Sequence, residues 1–333
     1  MPTPLPETGQ QVIVTPDNRI STETYAIQAP EPDEVLVETI CTLISAGTEL
    51  GTQEQVRGHD FTPGYSNVGR ILAVGADAKE YRVGDRVLSL APHASHVISS
   101  TAPHSLRPIP DGVTDAEATF GVLGSVAMHG VRKARIELGE HVLVTGMGLV
   151  GQLVLRLVTG SGAETLTAVD LVDERLARAE AGGALHTVNP RTTDLKTTVD
   201  QVTQDRGLDV VIEASGYPDV LPQAFDLCRI GGRIILLGSI WHRKVEIDFM
   251  DFHEKELVLM GCHQPKCPIH PTATFPWTQQ YNRGQILTMI ADGRLDVRSL
   301  ITHHLPFTEA KKGYRLLQKE QDQALGVVLQ WQR

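Results

Sequence analysis

The chain lacks the features that mark membrane and secreted proteins. No apolar stretch approaches the roughly 20 residues that a membrane helix needs, and the N-terminal MPTPLPETGQ has neither a basic start nor an apolar run. The four cysteines are scattered, so no second pair completes a structural zinc site or a disulfide framework. These absences predict a soluble, cytoplasmic protein without a membrane partner.

An excess of basic residues is also lacking. The chain carries 30 Lys and Arg against 40 Asp and Glu, a formal net charge of −10. A phosphate backbone attracts the opposite sign of charge, so nucleic acid is not expected as a partner. The length of 333 residues fits two domains of ordinary size.

Two sequence patterns divide the chain. Residues 11–107 contain short apolar runs separated by Gly, Pro and Asp, which is typical of an antiparallel β module, and no helical periodicity occurs before Asp115. From His141 onward, apolar strands rich in Val, Ile and Leu alternate with helices. That alternation indicates a parallel sheet covered on both faces. The tail from Cys262 returns to a mixed pattern.

These patterns predict an α/β protein with two domains. A β-rich catalytic domain is discontinuous and spans 1–121 and 262–333. A doubly wound, parallel-sheet Rossmann domain is inserted at 122–261.

A glycine motif follows the first strand of the inserted domain. HVLVT runs into GMGLVG, a helix begins at once, and an acid, Asp170, ends the next strand. This context is typical of dinucleotide binding, because the glycines allow a tight turn, close approach of a pyrophosphate and helix packing. The predicted phosphate-binding residues are Gly146, Met147, Gly148, Leu149, Val150 and Gly151.

Asp170 predicts NAD rather than NADP as the cofactor. A carboxylate at this place accepts hydrogen bonds from both ribose hydroxyls and would repel a 2′-phosphate. Arg175 is expected to lie over the adenosine. The predicted cofactor site also includes four residues that follow two later strands: Ala214, Ser215, Gly238 and Ser239.

Several further motifs resemble those of one enzyme family. They are AGTE at 46–49, PGYSNVG at 63–69, VGDRV at 83–87, AMHGVRKA at 127–134 and IEASG at 212–216. With the glycine motif and Asp170, the chain resembles the medium-chain dehydrogenase/reductase (zinc-type alcohol dehydrogenase-like) family over most of its length. The resemblance implies a GroES-like first domain, a Rossmann domain of six strands and a dimer that forms through the edge strand ELVLMG.

The resemblance also implies a zinc-independent enzyme. Ala46, Tyr65 and Val122 stand where zinc-dependent members are expected to have their ligands, and neither alanine nor valine offers a side-chain donor. We therefore predict no metal. A displaced site that uses His59 and Asp60 remains an alternative.

Three residues are the candidate catalytic groups. Thr48 stands where the family places a hydroxyl relay, Tyr65 replaces a metal ligand, and Glu49 is either the base or the residue that orients Tyr65. His93 is among the further histidine candidates. A base or a hydrogen-bond relay is required here, because no zinc would lower the pKa of the substrate hydroxyl.

The pattern most resembles the branch of bacteriochlorophyllide hydroxyethyl dehydrogenase and zinc-less sugar or cyclitol dehydrogenases. We therefore expect an NAD-dependent oxidoreductase that converts a secondary alcohol of a polyol, amino sugar or cyclitol to a ketone, or the reverse. Two alternatives remain. One is an NAD(P)H-dependent C=C reductase of the quinone or enoyl type, and the other is a non-catalytic dinucleotide-binding protein.

Overall fold

A computed structural model describes most of the chain. The residues that it describes are 5–17, 19–55, 59–238 and 244–331. None of the helices in these ranges is both long and apolar enough to span a membrane.

Contacts divide the chain into two units. Unit one consists of Met1–Leu123 and Pro268–Arg333, and unit two consists of Gly124–Cys267. The sequence analysis placed residues 122–123 in the Rossmann domain and residues 262–267 in the catalytic domain. The contacts place residues 122–123 in unit one and residues 262–267 in unit two. The segment after residue 261 stays with unit two because the Cys262 N–H bonds to the Leu236 carbonyl at 2.8 Å.

Unit two contains the predicted six-stranded parallel sheet. Its strands are β8 (His141–Thr145), β9 (Thr165–Val169), β10 (His186–Val188), β11 (Leu208–Glu213), β12 (Cys228–Leu236) and β13 (Val258–Gly261). Within the described residues the strand order is β10-β9-β8-β11-β12-β13. All six residues of β11 are buried, as expected for a central strand covered on both faces.

Helices connect these strands. They are α4 (Leu149–Thr159), α5 (Asp173–Ala181), α6 (Leu195–Thr203), α7 (Leu221–Leu227) and α8 (Met250–Glu254). Leu143, Val211, Phe225 and Ile234 are among the residues that form the buried core between sheet and helices. The order of the strands reverses between β8 and β11, and ligands bind at such a point of an open parallel sheet, outside the carboxyl ends of its strands.

Unit one is built mainly on antiparallel strands. They are β1 (Thr8–Val14), β2 (Ile20–Ala26), β3 (Glu34–Leu43), β4 (Asn67–Val74), β5 (Arg86–Ser89), β6 (His96–Ser100), β7 (Leu106–Pro108), β14 (Ile301–Pro306) and β15 (Gly326–Gln330). The order in the larger sheet is β14-β15-β3-β4-β5-β7, and β6 pairs with β3. The strand β15, near the end of the chain, thus pairs with β3, so the tail belongs to the same sheet as the early strands.

The helices of unit one include one that the sequence analysis missed. They are α1 (Ala46–Gln55), α2 (Asp115–Ala118), α9 (Gln279–Ala291) and α10 (Ala310–Lys319), while α3 (Phe120–Ala134) runs across the boundary between the units. The prediction that no helix precedes Asp115 is wrong. Two glycines interrupt the apolar pattern of α1, so no helical periodicity is visible, although Ala46 and Leu50 pack against the neighbouring core.

Candidate active site

The glycine loop of unit two lies between β8 and α4. Gly146 has a φ of +83°, and a Cβ there would lie 2.5 Å from the Ser215 Cα. At Gly151 a Cβ would lie 1.8 Å from the Gly146 carbonyl oxygen, whereas at Gly148 it would meet nothing within 4 Å. Two of the glycines therefore allow close packing, and the third leaves open space.

That open space lies at the beginning of α4. Gly148 is the N-cap of the helix and provides no side-chain hydrogen bond to it, so the first-turn N–H groups remain available to an anion. A pyrophosphate that approaches the Gly148 backbone would meet these N–H groups and the positive end of the helix dipole. The residues of the loop therefore fit a dinucleotide cofactor.

Asp170 follows β9 directly and holds the glycine loop in place. Its Oδ2 accepts a hydrogen bond from the Met147 N–H at 2.6 Å, and its Oδ1 accepts one from the Val172 N–H at 2.9 Å. Each carboxylate oxygen offers two lone pairs, so both oxygens can accept a further bond from a ribose hydroxyl.

Arg175 lies beside this carboxylate, with its Nη1 at 3.9 Å from the Asp170 Oδ2. Burial lowers the pKa of Arg175, although the charge of Asp170 acts to raise it. The structure thus brings Arg175 to the acid that is expected to bind the adenosine ribose. Its predicted place over the adenosine stays a prediction.

A buried carboxylate, Glu213, organises the next loop. It is the last residue of β11, only 1% of its surface is exposed, and its Oε1 accepts the N–H groups of Ser215 at 2.6 Å and Gly216 at 2.8 Å. Burial raises the pKa of Glu213, although hydrogen bonds from Ser215 and Gly216 act to lower it. Sequence reasoning assigned no role to Glu213. Its signal was a charged residue directly after the apolar run VVI at 210–212.

The other predicted cofactor residues lie at the same end of the sheet. The Ala214 N–H bonds to the Thr145 carbonyl at 2.9 Å, which joins the loops after β11 and β8. At Gly238 a Cβ would lie 2.4 Å from the Gly216 nitrogen. Ser239 lies outside the described residues.

In unit one, three hydroxyl groups form a cluster at the beginning of α1. The Tyr65 hydroxyl donates to the Thr48 Oγ1 at 3.2 Å and shares a hydrogen bond with the Ser45 hydroxyl. Burial raises the pKa of Tyr65 to about 12, although the bonds with Ser45 and Thr48 act to lower it. Tyr65 is therefore a neutral hydrogen-bond donor at physiological pH. The structure brings the candidate residues Thr48 and Tyr65 together. Ser45 was not among the candidates from the sequence.

Glu49 lies behind this cluster rather than within it. The side chain is 4% exposed, and its Oε1 accepts the Ser45 N–H at 2.7 Å. Its Oε2 accepts a bond from the Tyr314 hydroxyl and lies 3.1 Å from the His93 Nε2. Glu49 thus reaches Tyr65 through Ser45, and the structure gives it no direct bond to the Tyr65 hydroxyl. Tyr314, on α10, was not anticipated because it is 265 positions away along the chain.

The residues at the positions expected for zinc ligands do not form a ligand set. Ala46 begins α1, Tyr65 belongs to the hydroxyl cluster, and Val122 is buried in α3. His59 and Asp60 are both exposed. Within the part of the chain that the structure describes, no three His, Cys, Asp or Glu side chains are grouped as metal ligands would be.

The comparisons with known proteins agree with this architecture. Residues 150–277 match the family described as zinc-binding dehydrogenase. D-guloside 3-dehydrogenase of Escherichia coli K12 is 35% identical over 259 residues, which cover 76% of this chain and 73% of the relative. Sorbitol dehydrogenase of Bacillus subtilis is 24% identical over 333 residues and 90% of each chain. The chain belongs to the medium-chain dehydrogenase family and is an oxidoreductase.

Solved structures show the same fold. A short chain alcohol dehydrogenase from Escherichia coli CFT073, complexed with the cofactor NADH, has a TM-score of 0.85 at 19% identity and covers 98% of this chain and 100% of its own. A putative zinc-binding dehydrogenase from Sinorhizobium meliloti 1021, bound to NADP, has a TM-score of 0.80 at 20% identity, over 97% of this chain and 99% of its own. One of these neighbours holds NADH and the other NADP.

Gly151 and Gly148 have different surroundings, so replacing each of them by alanine should cause a different defect. Gly151→Ala places a Cβ at 1.8 Å from a backbone oxygen, so it should lower the free energy of unfolding by about 1–3 kcal/mol. Gly148→Ala meets no protein atom within 4 Å and should leave stability within about 0.5 kcal/mol. It should nevertheless weaken NADH binding about tenfold, roughly 1.4 kcal/mol, because the methyl group occupies the space left for the pyrophosphate.

Chemical denaturation and titration of NADH fluorescence measure the two effects on the same samples. Gly293→Ala is a control for the loss of a glycine with open surroundings. Gly293 lies in unit one and has a positive φ, so this substitution should lower stability without changing the affinity for NADH. Normal NADH affinity in Gly148→Ala would contradict the assignment of this loop to the pyrophosphate.

Proposed function

We propose that the enzyme is an NAD-dependent, zinc-independent dehydrogenase that interconverts a secondary alcohol of a polar metabolite and its ketone. The substrate class is a polyol, an amino sugar or a cyclitol. The observation that carries the proposal is the cluster of Ser45, Thr48 and Tyr65, which offers uncharged hydroxyl groups where zinc-dependent relatives are expected to hold their metal. The relatives named for guloside and sorbitol support a polyhydroxylated substrate.

In this proposal unit two binds the dinucleotide, and unit one provides the groups that transfer the proton. A bound NAD would supply the acceptor for the hydride that leaves the alcohol carbon. The Tyr65 hydroxyl binds the substrate oxygen. In the direction of oxidation Tyr65 receives the substrate proton while its own proton passes to Thr48, and Thr48, which is partly exposed, releases its hydroxyl proton to solvent; ketone reduction runs through the same proton transfers in reverse.

Because the pKa of Tyr65 is raised, the rates of alcohol oxidation and ketone reduction should depend on pH in opposite ways. Below a pKa of about 12 the hydroxyl is protonated, which is the form that reduction requires. Oxidation is favoured by loss of that proton, so its rate should rise as the pH increases toward this pKa. Reduction should not lose rate through this group until the pH approaches the same value.

Turnover without metal tests the function as a whole. The dialysed protein, with substoichiometric zinc by elemental analysis, should oxidise members of a polyol and cyclitol panel with NAD, and chelation should not change the rate. One zinc per chain whose removal abolishes turnover would refute zinc independence. Reduction of enones with NADPH, with no turnover of any alcohol, would refute the substrate class.

Cofactor preference should depend on Asp170. A carboxylate that binds the ribose hydroxyls and repels a 2′-phosphate should favour NADH over NADPH by about 2 kcal/mol, or roughly 30-fold. In Asp170→Ala this ratio of Kd values should narrow toward one. Glu174→Ala is the matched control, since Glu174 is an exposed acid four positions further on. Equal or tighter binding of NADPH by the unmodified enzyme would contradict the preference.

The Tyr65 hydroxyl should be required for turnover and not for cofactor binding. Tyr65→Phe should lower kcat by ~10²–10⁴-fold while the Kd of NADH stays nearly unchanged. It should also flatten the rise of the oxidation rate between about pH 8 and 10, where the small ionised fraction of a group with a pKa of about 12 grows roughly tenfold per pH unit.

Tyr25→Phe is the control for loss of a tyrosine hydroxyl. Tyr25 is in the same unit, and its hydroxyl donates to the His96 carbonyl and accepts the His96 N–H at 3.0 Å. Its loss should affect stability and leave kcat unchanged. Unchanged kcat in Tyr65→Phe would remove Tyr65 from the mechanism.

We also propose a homodimer that forms through β13. This strand is at one edge of the six-stranded sheet, and Val258 on it is 44% exposed. An exposed edge strand tends to be paired or covered. Sedimentation equilibrium at micromolar concentration should give the mass of two chains, and a single-chain mass would rule out this arrangement.

A further inference from the structure

A chain of buried hydrogen bonds runs through unit one behind the hydroxyl cluster. The Trp331 Nε1 lies 3.1 Å from the Thr42 Oγ1, which lies 2.8 Å from the His93 Nδ1. The His93 Nε2 then lies 3.1 Å from the Glu49 Oε2. Thr42 and His93 are completely buried, Glu49 is 4% exposed and Trp331 is 9% exposed. We call Trp331, Thr42, His93 and Glu49 the buried chain.

The chemistry of the two ends of the buried chain favours one direction for the bonds within it. An indole N–H can only donate, so the Thr42 oxygen accepts from Trp331. The His93 Nδ1 is the acceptor that the structure provides for the Thr42 hydroxyl proton, and it accepts that proton when it is the unprotonated ring nitrogen. The His93 Nε2 therefore carries the ring proton and donates it to Glu49.

The opposite tautomer of His93 would break this order. A proton on Nδ1 would turn the Thr42 oxygen into a double acceptor, and the Thr42 hydroxyl would lose the acceptor that the structure provides for it. It would also set an unprotonated Nε2 against a carboxylate oxygen. Both changes leave polar atoms unpaired in a buried region, and such atoms are strongly unfavourable.

Glu49 collects donors at the end of the buried chain. Besides His93 it accepts the Tyr314 hydroxyl and the Ser45 N–H at 2.7 Å. The contact with Glu49 and burial together raise the pKa of Tyr314 well above its usual value, with burial the larger cause, so Tyr314 is a neutral donor. Three donors thus converge on one carboxyl group. A carboxylate enclosed in this way has no exposed oxygen for a substrate.

A second contact ties the buried chain to Tyr65. A Cβ on Gly64 would lie 2.7 Å from the His93 Cγ, and the His93 N–H bonds to the Pro63 carbonyl at 2.8 Å. The backbone just before Tyr65 therefore packs directly on the His93 ring. Glu49 fixes Ser45 on one side of the Tyr65 hydroxyl, and His93 fixes the backbone of Tyr65 on the other.

We propose that the buried chain is a positioning device that locks His93 as the tautomer protonated at Nε2 and holds Glu49 in place as the acceptor of the Ser45 N–H. Glu49 is then a positioning residue for Ser45 and Tyr65, and not the base of the reaction. The effect on catalysis rests on the proposed function, whereas the tautomer and its partners do not.

Nitrogen-15 NMR of histidine-labelled protein tests the tautomer without any substrate. The resonances of His93 are assigned by their absence from the spectrum of His93→Gln. At pH 7.5 the unmodified protein should show one His93 form with a protonated Nε2 and an unprotonated Nδ1. A protonated Nδ1, in either the other tautomer or the imidazolium form, would overturn the proposal.

Two substitutions should alter this spectrum in a defined way. Glu49→Gln replaces one carboxylate oxygen by an NH2 group that can only donate, so the acceptor for the His93 Nε2 proton is weakened and the tautomer protonated at Nδ1 should become populated. Trp331→Phe removes the N–H that sets the direction, while a ring remains to stack on Phe307, whose centroid lies 4.5 Å from that of Trp331. His93 should then populate both tautomers, and an unchanged spectrum in both variants would overturn the proposal.

Kinetics with a matched pair of threonines test the positioning role. Thr42→Val interrupts the buried chain. Thr39→Val removes an equally buried hydroxyl three positions earlier on β3, where it accepts the Asn67 Nδ2 at 2.9 Å. Thr42→Val and Glu49→Gln should lower kcat by up to about 10²-fold, because a small displacement of a reacting group has effects of that size.

The Kd of NADH should stay unchanged in both of these variants, and Thr39→Val should retain the kcat of the unmodified enzyme. Equal kcat values in Thr42→Val and Thr39→Val would overturn the positioning role. Absence of any turnover in the unmodified protein, with the His93 spectrum as expected, would instead refute the proposed function alone.

Discussion

The carboxylate of Glu49 is the point at which separate parts of unit one meet. It is nearly buried, and it accepts bonds from the residue that precedes α1, from α10 and from the loop that contains His93. A buried carboxylate is strongly unfavourable unless hydrogen bonds replace its hydration, so these donors must stay in place for the unit to be stable. The hydroxyl cluster that includes Tyr65 is built on this constraint, since Ser45 belongs to both.

Unit two uses carboxylates in the same physical way. Asp170 accepts N–H groups on either side of the cofactor loop, and Glu213 accepts those of the loop that follows β11. In each case an acid at the end of a buried strand gives irregular backbone the hydrogen bonds that a helix or sheet would otherwise supply. Glycines at Gly146 and Gly151 then let these ordered loops approach one another closely. Hydrogen bonds within the protein therefore hold the loops at the carboxyl edge of the sheet.

Sequence reasoning succeeded where the signals are local. The glycine motif, the acid after the second strand and the alternation of strands and helices lie within short segments, and the six-stranded parallel sheet follows from them. In unit one the strands were recognised in the same way. The helix α1 was not, because its stability comes from Glu49 and from a few contacts rather than from an apolar stripe. Tyr314 and Trp331 escaped for a different reason: no local pattern reports a hydrogen bond to a residue more than 250 positions away.

The proposed absence of zinc agrees with the contacts around the buried chain. Ala46 offers no side-chain donor to a metal ion, and the Tyr65 hydroxyl is already hydrogen-bonded to Ser45 and Thr48. The Glu49 carboxyl group accepts hydrogen bonds from Ser45 and Tyr314. In the proposed reaction without zinc the proton chemistry differs. Zinc lowers the pKa of a bound hydroxyl, whereas burial raises that of Tyr65 to about 12. In the proposed reaction, the Tyr65 hydroxyl is therefore almost entirely protonated near neutral pH, so the proton donor for ketone reduction is present while the tyrosinate that alcohol oxidation requires is scarce.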